Sequence, residues 1–217
     1  MINVWIGYDK QFDKNIPVEV ESIKRTTPNS NIRLLVLEDI KELTRSRDMN
    51  QSTDSAFTRW MIPYLSNFSG WHLYLDSDML VCEDLNNLWQ LRDESKAVMV
   101  VKHKIDHASG TKFNGMPQVN YPRKNWSSVI LFNSKLCRGL TPGYVNTASG
   151  LDLHQFKWVS EDLVGELPAT WNHLVGVNSP DPTPSIIHWT LGGPWFEEYK
   201  DVEHSDLWNL AKVNGSM

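Results

Sequence analysis

The stretch LYLDSDMLV, Leu73 to Val81, decides how the rest of the chain is read. An apolar run with the length of a buried strand ends in Asp76 and Asp78, one residue apart. Like charges at the edge of a core repel and lose hydration, so both are costly unless a cation or hydrogen bonds compensate. Asp and Ser are common turn formers, and a plain turn explains the tripeptide by itself. A hard divalent ion, Mn2+ or Mg2+, explains the acidity as well. Mg2+ prefers oxygen ligands and takes one or two carboxylates, leaving positions for water and phosphate.

Outward from this run the chain alternates strand and helix patterns. Asn3 to Asp9 reads as a first strand, and IPVEVESIKRTTP carries helical spacing with Pro17 near its start and Pro28 beyond its end. NIRLLVLED reads as a second strand. STDSAFTRWMIPYLSNF reads as a helix capped by Ser52, Thr53 or Asp54 and kinked or shortened by Pro63. HLYLD, AVMVVKH, SSVILFN and PSIIHWT follow as strands. The alternation predicts an α/β sandwich with a mainly parallel central sheet flanked by helices. Ligands in such sheets gather at the carboxyl ends of the strands. The tails to read are therefore Tyr8-Asp9, Asp76-Ser77-Asp78, Lys102-His103, Asn133 and His188.

No repeat, low-complexity tract or linker interrupts residues 1–217, which predicts a single domain. A net charge of −5 provides no basic footprint and argues against nucleic acid as a partner. Cys82 and Cys137 lack metal-type spacing and are too few for a disulfide framework, which suggests a reduced, cytoplasmic setting. No signal-like or spanning segment is present, so membrane contact, if any, is expected to be peripheral. Most of the 10 tryptophans are expected in the core, with stacking on a sugar as the other use of an indole face.

Three further features bear on a cation site. His188 follows two isoleucines at a strand end, and imidazole is a ligand that Mn2+ accepts. Gly192-Gly193 permits close backbone approach to a bulky anion. Arg59, on the helix ahead of the acidic pair, suits a diphosphate. The long Lys104–Trp126 segment reads as a lid or binding loop, with Lys124 and Asn125 as sugar or phosphate contacts.

Taken in order, AFTRWMIPYL, GWHLYLDSDMLV, WSSVILFN, LPATWN and IIHWTLGGPWF resemble the nucleotide-sugar glycosyltransferases of the GT-A fold. The nearest likeness is to the glycogenin-like and bacterial galactosyltransferase group, family 8, or a bacterial family beside it. The resemblance implies a GT-A (Rossmann-like) sandwich that moves a sugar from a nucleoside-diphosphate sugar, UDP-sugar favoured, to a hydroxyl of a carbohydrate or glycoconjugate acceptor. It implies that Asp76, Asp78 and His188 bind Mn2+, with Asp76 also on the ribose and Ser77 among the donor-binding residues. It also implies Gly7, Tyr8 and Asp9 at the base, Arg59 near the diphosphate, Ser127 and Ser128 beside the donor sugar, and Asn172 near the acceptor or the metal-side loop.

Two departures stand out. HWTLGGPW is one residue shorter than the family's last motif and has no Lys, so Arg59, Lys124 or the Gly192 and Gly193 amides must neutralise the diphosphate. The family's Asp-Gln-Asp stretch upstream of LPATWN is replaced by LDLHQFKWVSEDLVGELP. If transfer inverts the anomeric centre, Glu161 or Asp162 is the expected base. If it retains, the outcome slightly favoured here, the leaving phosphate takes the proton. A sugar-nucleotide nucleotidyltransferase and a catalytically silent carbohydrate-binding protein are the rival readings.

Overall fold

The computed structural model describes residues 1–47, 51, 53–104, 111–112, 116–117 and 121–214. The chain runs β1 (Ile2–Gly7), α1 (Ile16–Thr26), β2 (Ser30–Leu35), α2 (Ser55–Thr58), α3 (Ile62–Leu65), β3 (Trp71–Leu75) and β4 (Met79–Val81). It continues α4 (Leu85–Gln90), β5 (Val98–Val100), β6 (Thr111–Lys112), β7 (Met116–Pro117), β8 (Val129–Asn133), α5 (Pro142–Thr147) and α6 (Gly150–His154). Last come β9 (Val164–Glu166), β10 (His173–Leu174), β11 (Ile186–His188) and α7 (Ser205–Asn214).

The central sheet has the order β2-β1-β3-β8-β5-β9. β1 pairs parallel with β2 and β3, and β5 pairs parallel with β9. β8 alone runs against both neighbours, β3 and β5. The sheet is thus mainly parallel, as the alternation predicts, with one reversed strand. All five residues of β3 are buried, as a strand covered on both faces must be. Tyr74 packs into one apolar cluster with Trp5, Trp60 and Phe132, while Leu73 and Leu75 join Val4, Ile6 and Leu131 in another. A third cluster, of Phe12, Leu80, Trp189, Trp195 and Trp208, ties α7 to β4 and β11. Trp5, Trp60, Trp71, Trp171, Trp189, Trp195 and Trp208 are all buried, so the indoles mostly fill core.

Three local readings are corrected. The second strand ends at Leu35, and Leu37–Asp39 turns into a 3-10 segment. The expected helix over residues 52–68 is split into α2, a 3-10 turn at Arg59–Met61, and α3. Pro63 has no N–H to give to the Arg59 carbonyl, and Ile62 N–H closes onto that carbonyl instead. Of the expected caps, Ser52 lies outside the described residues. Finally, reversal of β8 pairs Asn133 with Trp71 at the start of β3, so Asn133 lies at the end of the sheet away from Asp76. Its Nδ2 donates to the Glu94 and Lys96 carbonyls, a structural use.

A smaller sheet, β10-β11-β4, positions the late histidine. β11 pairs antiparallel with β4, setting His188 opposite Met79, and Trp189 N–H donates to the Asp78 carbonyl at 3.0 Å. A backbone ladder therefore joins the acidic pair to residue 188. Among the described residues no helix is long and apolar enough to cross a membrane.

Candidate active site

β3 ends at Leu75, and the turn that leads into β4 carries Asp76, Ser77 and Asp78. Asn15, the residue just before α1, holds this turn from beneath: its Nδ2 donates to the Ser77 carbonyl at 2.9 Å and to the Met79 carbonyl at 3.2 Å. Trp208 Nε1–H donates to Asn15 Oδ1 at 2.7 Å and fixes the amide's orientation. Because β8 is reversed, its amino end lies alongside, and Asp76 N–H donates to the Ser128 carbonyl at 3.0 Å.

Asp76 Oδ1 is held from two sides. Tyr74 Oη donates to it at 2.6 Å, and the Arg59 guanidinium Nη2 stands 2.7 Å away. The remaining Arg59 donors are engaged as well, Nε on the Ser55 carbonyl and Nη1 on the Ser127 carbonyl. Arg59, 4% exposed, is thus a clamp on Asp76 in this structure. Burial pushes the Asp76 carboxyl up from its usual range, Arg59 pulls it back, and Asp78 beside it raises it again. The net direction is upward, the behaviour of a carboxylate waiting for more positive charge.

On the far wall His188, 2% exposed, brings its Nε2 to 3.3 Å from Asp78 Oδ1. Its Nδ1 lies 2.9 Å from Asn172 Oδ1. Asn172 Nδ2 donates to Ser128 Oγ and the Asn125 carbonyl, and Ser128 Oγ itself donates to that carbonyl. The network leaves Asn172 Oδ1 only an acceptor's role, so His188 Nδ1 is the donor in that bond and Nε2 is the ring atom that faces the carboxylates. One ligand atom from each of Asp76, Asp78 and His188 lies within 4.8 Å of the others. A His whose far nitrogen faces carboxylates while its other nitrogen is pinned by an oxygen acceptor is the usual arrangement around a metal. The donor set of two carboxylates and one imidazole fits Mn2+.

These groups form the floor of a polar cleft of about 110 Å³ that also includes Ser77, Asn125, Ser127, Ser128, His154 and Thr190. Ser127 Oγ lies 2.7 Å from His154 Nδ1. Burial and the neighbouring Arg59 lower the His154 pKa to about 3, so its ring is neutral where it shares a hydrogen bond with the Ser127 hydroxyl. Beneath the turn, α1 buries Glu19, whose carboxyl is driven up by burial and then by Asp78 and Asp76.

The structure brings together Arg59, Asp76, Ser77, Asp78, Ser127, Ser128 and His188 from the sequence-derived set. Others have different surroundings. Asp9 accepts from Gln11 N–H and Asp54 N–H, bracing the loop after β1 against α2, and Tyr8 Oη donates to Asp13. Gly7 admits no side chain, because a Cβ there would meet Tyr74 Oη at 2.4 Å. Gly192, at φ 138, and Gly193 lie against the rings of Tyr199 and Trp195, so their close approach is to the protein's own aromatics. Lys124 is not among the residues lining the cleft, whereas Asn125 is. Much of the expected lid, residues 105–110, 113–115 and 118–120, lies outside the described residues. Glu161 and Asp162 also lie outside the lining, exposed in a 3-10 turn where Glu161 pairs with Arg123.

Sequence reasoning missed Tyr74, His154 and Thr190. A strand's period of two puts Tyr74 on the same side as Asp76, which would have identified the phenol. His154 and Thr190 carry no comparable signal.

The chain is similar to known proteins in sequence and in fold. The family model described as Glycosyl transferase family 8 matches residues 6–135. Protein CDI of Arabidopsis thaliana is 38% identical over 216 residues, covering 94% of this chain and 83% of that protein. Among solved structures, the WbbM bifunctional glycosyltransferase superposes with a TM-score of 0.72 at 19% identity, over 98% of this chain and 50% of that one. GlyE of Streptococcus pneumoniae TIGR4 reaches 0.65 at 18% identity, over 98% and 60%. The galactosyltransferase LgtC in complex with donor and acceptor sugar analogs reaches 0.63 at 13% identity, over 98% and 96%. The chain therefore spans about half the length of WbbM and three fifths of GlyE. Both the sequence match and the sheet with its acidic turn lead to one conclusion: the chain belongs to glycosyl transferase family 8 and is a glycosyltransferase with the GT-A fold.

Proposed function

We propose that the protein transfers a sugar from a nucleoside-diphosphate sugar, with UDP-sugar favoured, to a hydroxyl of a carbohydrate or glycoconjugate, and that it depends on a divalent cation. The observation that carries this reading is the backbone-locked pairing of Asp78 with His188, at 3.3 Å, beside a clamped Asp76. Asp76, Asp78 and His188 would hold Mn2+ or Mg2+, which when bound supplies Lewis-acid neutralisation of the leaving diphosphate.

The chain's own groups prepare that site. Arg59 and Tyr74 keep Asp76 in place, and Asn172 keeps His188 in the ligating tautomer. Ser77, Ser127, Ser128 and Thr190 provide hydroxyls along the cleft, suited to the donor's phosphates and sugar. Among the described lining residues the carboxylates are Asp76 and Asp78, the two that would hold the cation. That supports transfer with retention, in which the departing phosphate takes the acceptor proton. The placement of Glu161 and Asp162 gives no support to an inverting base.

The test is incubation with a panel of UDP-, GDP- and CMP-sugars plus Mn2+, following release of nucleoside diphosphate and the anomeric configuration of the product. Mn2+-dependent release is expected, with Asp78→Asn reducing it by at least about a hundredfold, the scale of losing a principal electrostatic group. Full activity in Asp78→Asn would falsify the metal assignment.

A further inference from the structure

A second cluster of ligating groups lies apart from the cleft. His173 on β10 pairs in register with Ile187, one residue before His188, so it projects from the opposite face of the small sheet. Facing it are Glu203 and His204, which immediately precede α7. One ligand atom from each of the three residues lies within 4.8 Å of the others. Glu203 Oε1 is 3.4 Å from His173 Nε2 and 3.1 Å from His204 Nε2.

These separations are longer than the ~2.7–2.9 Å of charge-assisted hydrogen bonds. Both Nε2 atoms are buried and make no hydrogen bond, although the His173 side chain is only 4% exposed. Three ligands at ~2.0–2.2 Å around a tetrahedral Zn2+ stand roughly 3.3–3.6 Å from one another; Glu203–His173 at 3.4 Å has that spacing and Glu203–His204 at 3.1 Å is slightly closer.

The cluster is held in shape by surrounding structure. Glu203 accepts from Asp181 N–H on Oε1 and from Trp189 Nε1 on its carbonyl. His204 sits at φ 63, a left-handed conformation uncommon for a side chain of its size, and this sets the direction of its ring. Glu203 is 27% exposed, leaving a side open to a water ligand.

We propose that His173, Glu203 and His204 form a second metal site, selective for Zn2+ by its two imidazoles and one carboxylate, and distinct from the acidic turn. Zn2+ there would fasten the start of α7 to β10. α7 carries Trp208, which orients the Asn15 that supports the acidic turn, so the ion would brace the floor of the cleft from behind. The site does not depend on the sugar-transfer reading.

The test uses the full chain stripped with a chelator, as wild type and as Asp78→Asn, which disables the first site. Zn2+ stoichiometry is measured after gel filtration, with Tm followed in parallel. Asp78→Asn is expected to retain one equivalent and to melt higher with Zn2+. Co2+ should give the intense visible absorption of a four-coordinate site. Adding Glu203→Gln, which keeps an acceptor for Asp181 N–H, or His204→Asn, which tolerates the left-handed backbone, should lower Zn2+ affinity at least about tenfold. Circular dichroism checks that these variants fold. If one does not, wild type binding one more equivalent than Asp78→Asn, with one still bound in the latter, supports the site. No Zn2+ on Asp78→Asn overturns the proposal. So does unchanged affinity in folded Glu203→Gln and His204→Asn, which would leave the cluster a protonated-imidazole ion pair only.

Discussion

Asn172 commits both ends of its amide, and through it the choice of His188 tautomer depends on Ser128 and the Asn125 carbonyl. Asn172→Ala is expected to weaken Mn2+ binding by about 10–100-fold, the usual effect of losing a group behind a ligating His. Calorimetric titration checks this, and an unchanged affinity would mean that the ring is oriented by other contacts. His154 gives a pH prediction. Its folded pKa, lowered to about 3, is below the ordinary 6.5, so the unfolded chain binds more protons between the two values. Its contribution is complete above pH 6.5 and is lost as pH falls toward 3. This contributes a slope of at most about 1.4 kcal/mol per pH unit. Denaturation midpoints measured across that window should fall less steeply for His154→Asn than for wild type.

At the scale of elements, α1 does more than cover the sheet. Asn15 at its cap and Ser22 on its inward face support the β3–β4 turn and β4, Ser22 Oγ accepting from Val81 N–H. Glu19 is a fully buried carboxyl beside two others, and its raised pKa means that stability is lost as pH rises above the usual carboxylate range. Glu19→Gln should therefore raise the Tm of the metal-free protein at pH 7 by roughly 2–4 °C for each kcal/mol of relieved repulsion. That gain should vanish near pH 4, and no gain at pH 7 would show that the native fold does not raise the Glu19 pKa.

Legibility in the sequence also varied by element. Asp76, Asp78 and His188 stood out because polar groups interrupt apolar runs at strand ends. The direction of β8 did not, since VILFN is buried throughout and a run of that kind reads the same in either orientation. The site consequently takes Ser127 and Ser128 from the start of that strand instead of Asn133 from its end. Glu161 and Asp162 follow from order along the chain, but a short, exposed turn keeps them hydrated and away from the cleft.

For the molecule as a whole, the acidic turn concentrates negative charge in a chain whose net charge is already −5. Divalent cation at the turn should stabilise the native state by mass action, about 2.7 kcal/mol at a hundredfold excess over Kd. Melting curves in MnCl2 against NaCl of equal ionic strength check this. Coincident curves would place the stabilising charge elsewhere.

The Trp189–Asp78 backbone bond also dictates when the cleft can assemble during synthesis of the chain. Asp78 leaves the ribosome long before its partner, and at ~5–20 residues per second the intervening segment takes many seconds to translate. Throughout that interval two aspartates wait without their imidazole, and the indole at position 208 that steadies Asn15 emerges later still. A nascent polypeptide therefore lacks the assembled cleft until α7 has been made, because the cleft needs both the residue-188 ladder and the Trp208–Asn15 bond, the second supplied by α7.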